Sequence, residues 1–175
     1  MNTKNKCGHC NRKITVELPY SAHNFCDKHF LEYIEKRVRK EIREYKLDTK
    51  KTYALKNTKN HEYELTKYFL EKAFNKRLEL KDSSKGEIIP TSLDKEILSF
   101  LKSFMNNEPY DYKKIMPLRV VTDKEQEELC RILGLSFKNT TEKLSHLEEL
   151  EEQHPDTKFS LLKSLKGYEK LPKKQ

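Results

Sequence analysis

"CGHCNRKITVELPYSAHNFCDKH", residues 7–29, opens on one pair of metal-binding side chains and closes on another. Cys7 and Cys10 stand with two residues between them, Cys26 and His29 likewise, and fifteen residues separate the pairs. A two-residue gap lets one tight turn present both side chains to a single ion, and tetrahedral zinc takes four nitrogen or sulfur ligands. Gly8 suits such a turn. Between the pairs, Ile14, Val16 and Leu18 alternate until Pro19 breaks the run, the pattern of a short hairpin. The stretch therefore predicts an N-terminal zinc ribbon over residues 1–30, with Cys7, Cys10, Cys26 and His29 as metal ligands. Four protein ligands leave no open position, so the zinc is expected to be structural and to contribute on the order of 10 kcal/mol to the local fold. His9 and His23 fall off the pair spacing and are read as solvent-facing or as neighbours of the ligands.

Working outward, "FLEYIEKRVRKEIREYKL" places Phe30, Ile34, Val38, Ile42 and Tyr45 at helical spacing. This predicts a basic amphipathic helix over 31–47, with Arg37, Arg39, Lys40 and Arg43 off the apolar stripe. Residues 48–60 have no helical period and read as a linker in which only "TYAL" is strand-like. A second helix is expected through "EYELTKYFLEKAFNKRLEL", broken by residues 81–86. "EIIPTS" reads as a strand remnant. Thr91 with Asp94 forms a capping-box pattern for a helix whose core face is Leu93, Ile97, Leu101, Phe104 and Met105. Thr122 with Glu125 opens another, which Gly134 should close. Asn139 is expected to cap a helix carrying Leu144 and Leu147, and Pro155 to start a last one with Phe159, Leu162 and Leu165, ended by Gly167. The tail "LPKKQ" reads as a polar end.

A formal charge of +8 with an isoelectric point near 9.1 favours a polyanionic partner, because Lys and Arg that neutralise phosphates release condensed counterions. Only 35% of the residues are apolar and 37% are charged, so the helices must be amphipathic. No run approaches the roughly 20 apolar residues of a membrane-spanning helix, and a cysteine pair stands where a signal peptide would be apolar, so the chain is expected to be cytoplasmic, with no membrane partner. Three of the four cysteines belong to the metal spacing and Cys130 stands alone, which argues against a disulfide set.

The segments "CGHC", "FCDKHFLEYIEKRVRKEIREYKL", "TSLDKEILSFLKSFM", "IMPLRVVTDKEQEELCRILGL" and "LEELEEQHPDTKFSLLKSL" together resemble the tRNA 2-thiolation proteins of the PP-loop ATP pyrophosphatase superfamily. The resemblance covers the first fifty residues and everything after about residue 65. It implies a parallel sheet flanked by helices, ATP held on a glycine-rich loop after the first strand, adenylation of a tRNA base, and cysteines that in several members hold an iron–sulfur cluster. The sequence departs from that pattern. Its four glycines, Gly8, Gly86, Gly134 and Gly167, make no phosphate-cradling loop, and "TYALKNTKNHEYEL" stands where the loop should be. Where family cysteines are expected, "NHEYEL" and "SFKNTT" carry no thiol. Cys130 is read as core packing.

The fold expected is therefore α+β and mainly helical: a zinc ribbon, then a helical body over 61–175 with a small residual sheet from a degenerate α/β PP-loop domain. No catalytic residue, bound ATP or iron–sulfur cluster is expected. The function expected is that of a catalytically inactive homologue binding tRNA or other RNA through Arg37, Arg39, Lys40 and Arg43, with Tyr33 or Tyr45 to stack on a base. Two alternatives stand beside it. One is a subunit of a tRNA 2-thiolation enzyme whose ATP-binding and sulfur-transfer residues come from another chain. The other is an assembly or regulatory protein, acting as a homodimer or as a heterodimer with a full-length thiolation paralogue.

Overall fold

A computed structural model describes residues 6–21, 23–110, 114–142 and 145–170. The tail "LPKKQ" and Leu144 lie outside them. The architecture is mainly helical around a small parallel sheet, as the sequence predicts. In chain order the elements are α1 (Asp27–Glu44), β1 (Thr52–Lys56), α2 (His61–Ala73), β2 (Glu79–Ser83), α3 (Leu93–Met105), α4 (Asp123–Leu133), α5 (Ser145–Gln153) and α6 (Thr157–Glu169).

β1 and β2 pair in parallel with Leu55 opposite Asp82, and α2 is the crossover between them. On the other edge of β1, Leu55 bridges to Ile88 and Ile88 to Ile115, both in parallel. The order in space is thus β2, β1, Ile88, Ile115, and the direction of winding reverses between β1 and the Ile88 segment. In an open α/β sheet that reversal leaves a crevice at the carboxyl ends of the strands, where ligands bind. Residues 48–60 are consequently more than a linker. They hold the central strand, and Leu55 is fully buried.

Gly86 explains how so short a connection passes β1. A Cβ there would fall inside the van der Waals envelope of the Lys56 amide and stand 2.7 Å from the Ala54 carbonyl oxygen and from the Leu55 carbonyl carbon. Only a residue without a side chain lets the two backbones approach so closely.

Phe30, Ile34, Val38 and Ile42 of α1 are buried, so the predicted stripe faces the core. Val16, Leu18 and Phe25 of the ribbon join the same apolar cluster as Leu65, Ile97, Leu129 and Leu165 of the body. Several helix ends differ from the sequence reading. α2 stops at Ala73 because Asn75 and Lys76 take left-handed backbone (φ 50° and 59°), which frees "ELKDS" to form β2. Ser92, rather than Thr91, caps α3 by accepting from the Lys95 amide. Phe104 and Met105, expected in the core, are 76% and 78% exposed at the C-terminal end of α3. The Thr122–Glu125 capping box is fully formed and Gly134 closes α4 at φ 69°. Asn139 accepts from the Thr141 amide and caps no helix, while Gly167 lies inside α6.

Arg119, buried, ties three helices together. It donates to Glu41 of α1 at 2.8 Å and to both carboxylate oxygens of Glu169 at the end of α6, with Glu96 of α3 at 3.8 Å. Burial, then Glu169, Tyr45 and Glu41, act on the guanidinium, and the net effect raises its already high pKa.

Candidate metal centre and the strand-end crevice

Cys7 and Cys10 sit on the first knuckle, where the Gly8 amide donates to the Asn24 carbonyl and so draws the second knuckle close. Cys26 is the residue before α1 and makes no side-chain cap, and His29 lies in the first turn of the helix. The helix start thus supplies two ligands at its positive end, which favours an anionic ligand set.

The four ligand atoms all lie within 4.8 Å of one another. His29 Nδ1 is 3.4 Å from Cys7 Sγ and 3.5 Å from Cys26 Sγ, and Cys10 Sγ is 3.8 Å from Cys26 Sγ. Metal bonds of about 2.3 Å to sulfur and 2.0 Å to nitrogen, at tetrahedral angles, put ligand atoms about 3.5–3.8 Å apart. The geometry therefore fits a single ion. Burial pushes the Cys7 thiol up, but hydrogen bonds from the backbone around His9 and Cys26 and from the His29 and Cys26 side chains outweigh it, lowering it from 9.0 to about 6. A thiol so lowered offers thiolate at neutral pH, the form that binds metal. His9 stays outside the ligand set, stacked on Phe25 with ring centroids 5.6 Å apart, and His23 meets it edge-on at 5.4 Å. Burial raises the Cys130 thiol to about 11, in keeping with a packing role.

The crevice at the strand ends is built from three helix starts. After β1, residues 57–60 close on themselves: Thr58 Oγ1 donates to Asn60 Oδ1, Asn60 caps α2 by accepting from the Tyr63 amide, and Lys59 takes left-handed backbone at φ 51°. At the next helix start Asp94 accepts from the Asp123 amide at 2.7 Å and pairs with Lys158 at 2.5 Å. It therefore ties α4 and α6 to α3, a different role from the capping-box acid the sequence suggested. Glu62, buried at the start of α2, pairs with Lys95 of α3 at 2.8 Å. Burial, then Asp94 and later Glu62, raises the Asp123 carboxyl above the usual carboxylate range, while its hydrogen bonds with Ser92 and Thr141 oppose that. Helix N-termini offer unpaired amides and positive dipole to anions. At the start of α4 the chain's own carboxylates take that position, Asp94 on the Asp123 amide and Glu125 on the Thr122 amide.

His61, packed on Phe137 at 4.6 Å, is held below its usual pKa by burial, with Lys95 adding to that and Glu62 and Asp123 opposing it. The unfolded chain takes up this proton at a higher pH than the folded one, so the contribution is intact above about pH 6.5 and is lost as the pH falls below that value through the lower pKa of the folded state. Urea midpoints at pH 7 and pH 5.5 should therefore differ less in His61→Phe than in the parent.

The four cations read as an RNA face are divided by the structure. Arg37 is turned inward: its guanidinium pairs with the fully buried Glu125, which also accepts from Tyr20, and lies 5.3 and 5.2 Å from the Tyr33 and Phe159 ring centroids. It is an internal counter-ion and no longer counts toward a surface patch. Its place about 60° around the helix from Ile34 and about 100° from Val38 hid this, since Glu125 is 88 residues away. Tyr33 stacks on Phe25 at 5.0 Å, and Tyr45 donates to Glu41 and to the Met116 carbonyl, so neither is available to a base. Arg39, Lys40 and Arg43 are exposed, Arg39 pairing with Glu35 at 2.7 Å. No helix among the described residues is long and apolar enough to cross a membrane.

No protein-family model matches the sequence, and no curated protein matches it. Among solved structures, the U34-tRNA thiolase NcsA from Methanococcus maripaludis, determined with its 4Fe-4S cluster, is similar at a TM-score of 0.76 and 14% identity, over 98% of this chain and 89% of that chain. At that identity the likeness is one of fold.

Proposed function

We propose that this protein is a catalytically inactive, zinc-holding homologue of the tRNA thiolation proteins that acts by binding tRNA. The observation that carries the reading is the strand-end crevice. On a thiolase-like scaffold, residues 57–60 stand after β1 without a glycine, Asn60 and Ser92 take amides of α2 and α3, and Asp94 takes the Asp123 amide of α4 with Glu62 and Asp123 close by, where phosphate groups would need unpaired amides. Carboxylates at that position repel a triphosphate. The exposed Arg39, Lys40 and Arg43 on α1 supply charge for an RNA backbone.

Zinc is the metal we assign. Supporting it are the mixed set of three sulfurs and one nitrogen and the close spacing of all four ligand atoms. An iron–sulfur cube takes thiolates at its corners and spreads them further apart than one ion does.

The lone protein is expected to retain bulk tRNA in a salt-sensitive manner and to leave ATP unhydrolysed. Changing Arg39, Lys40 and Arg43 together to Gln should reduce the slope of log affinity against log salt by about 2–3. ATP turnover or thiolation by this chain alone would sink the inactive reading. One observation favours a second reading, in which a protein is the main partner: the exposed Phe104 and Met105 at the end of α3 are large apolar side chains of the kind interfaces bury.

A further inference from the structure

The C-terminal ends of α1 and α2 enclose a groove of about 330 Å³ whose apolar lining none of the roles above uses. Its floor is apolar, formed by Ile42, Leu47, Ala73 and Phe74, and its rim is cationic, formed by Arg39, Arg43 and Lys46. Left-handed residues end the chain's helical path on both sides: Lys46 at φ 50° after α1, and Asn75 and Lys76 at 50° and 59° after α2. Phe74 is half-buried at the end of α2, and Lys46 and Lys76 are exposed.

A duplex presents phosphates and keeps its bases stacked, so a cationic surface alone suffices to hold it. An apolar floor with an aromatic ring beneath a cationic rim matches instead an unstacked base with its phosphates on either side. We infer that the α1–α2 groove binds single-stranded RNA, seating one base against Phe74 while Arg39, Arg43 and Lys46 hold the flanking phosphates. The inference rests on the RNA reading above and narrows it to one seat and one form of the ligand. An acidic peptide could meet the same rim, but it would leave the aromatic floor unused.

The test uses the full chain loaded with zinc, a fluorescein-labelled oligouridine and a duplex of equal length, followed by anisotropy across a salt series. Tighter binding of the single strand is expected. Arg43→Gln with Lys46→Gln should lower the salt slope by about 1.4, the value for two contacts to a single strand. Phe74→Leu keeps the floor apolar, and should bind about tenfold more weakly at an unchanged salt slope, because stacking rather than charge is lost. Ultraviolet crosslinking of the parent protein, which needs no variant to fold, should attach uridine to the peptide containing Phe74. RNA binding that survives both changes, with crosslinks elsewhere, would overturn the groove and leave the RNA reading standing. Preference for the duplex, or equal capture of polyglutamate, would overturn the groove as well. A parent protein that binds no RNA would remove the broader reading itself.

Discussion

Dialysis of the purified protein against a strong chelator is expected to release about one equivalent of zinc, and no iron, per chain and to unfold more than the ribbon. Ligands that meet only in the folded state make metal binding part of folding, so the loss of stability should be on the order of several kcal/mol. The effect should reach the body because Val16, Leu18 and Phe25 belong to the same core as α1, α3 and α6. Removing the ion also frees Cys26 and His29 at the start of α1, the helix whose Arg37 anchors the capping box of α4. The expected readouts are a lower melting temperature for the whole chain and rapid tryptic cleavage after the exposed Arg12 and Lys13. Cys26→Ser should reproduce both without a chelator. An unchanged melting curve, or a brown protein that yields iron, would reject the structural zinc centre.

Gly86→Ala should be nearly as damaging, although it adds a single methyl group. The methyl would overlap the main chain of β1, at the Lys56 amide and the Ala54 and Leu55 carbonyls, and backbone cannot rotate away as a side chain can. Either the Leu55–Ile88 pairing opens or the central strand shifts. A loss of about 3 kcal/mol or more is expected, which for a chain of this size lowers the melting temperature by about 10 °C. Gly167→Ala is the matched control. Nothing lies within 4 Å of a Cβ there, and the residue sits inside α6, so helix propensity should leave the protein unchanged or more stable by up to about 1 kcal/mol. Equal melting temperatures for the two variants would show that the chain does not cross β1 at Gly86.

Local chemistry was readable from the sequence and long-range pairing was not. The two-residue gap within each ligand pair, the α1 stripe, the Thr122–Glu125 box and the Gly134 cap each depend on residues within a few positions, and all appear as expected; the meeting of the two ligand pairs, 22 residues apart from Cys7 to His29, is the exception among long-range contacts. β2 did not announce itself. "ELKDS" is polar and five residues long, and it becomes a strand only because β1, more than twenty residues earlier, offers its edge. The same holds for Arg37 and Asp94. Their types suggested a surface cation and a local cap, while their partners, Glu125 and the Asp123 amide, lie 88 and 29 residues further along. Phe104 and Met105 continue a helical apolar period past the stretch of α3 that the described residues bury, and periodicity alone cannot mark that edge.

The acids gathered at the helix starts also mark a route backwards. Substituting neutral side chains for Glu62, Asp94 and Asp123 would free the Asp123 amide that Asp94 holds and release Lys95 from Glu62. A library built on that background would be a natural place to select for phosphate affinity, because the scaffold would already supply the donors and only the occupant would be new.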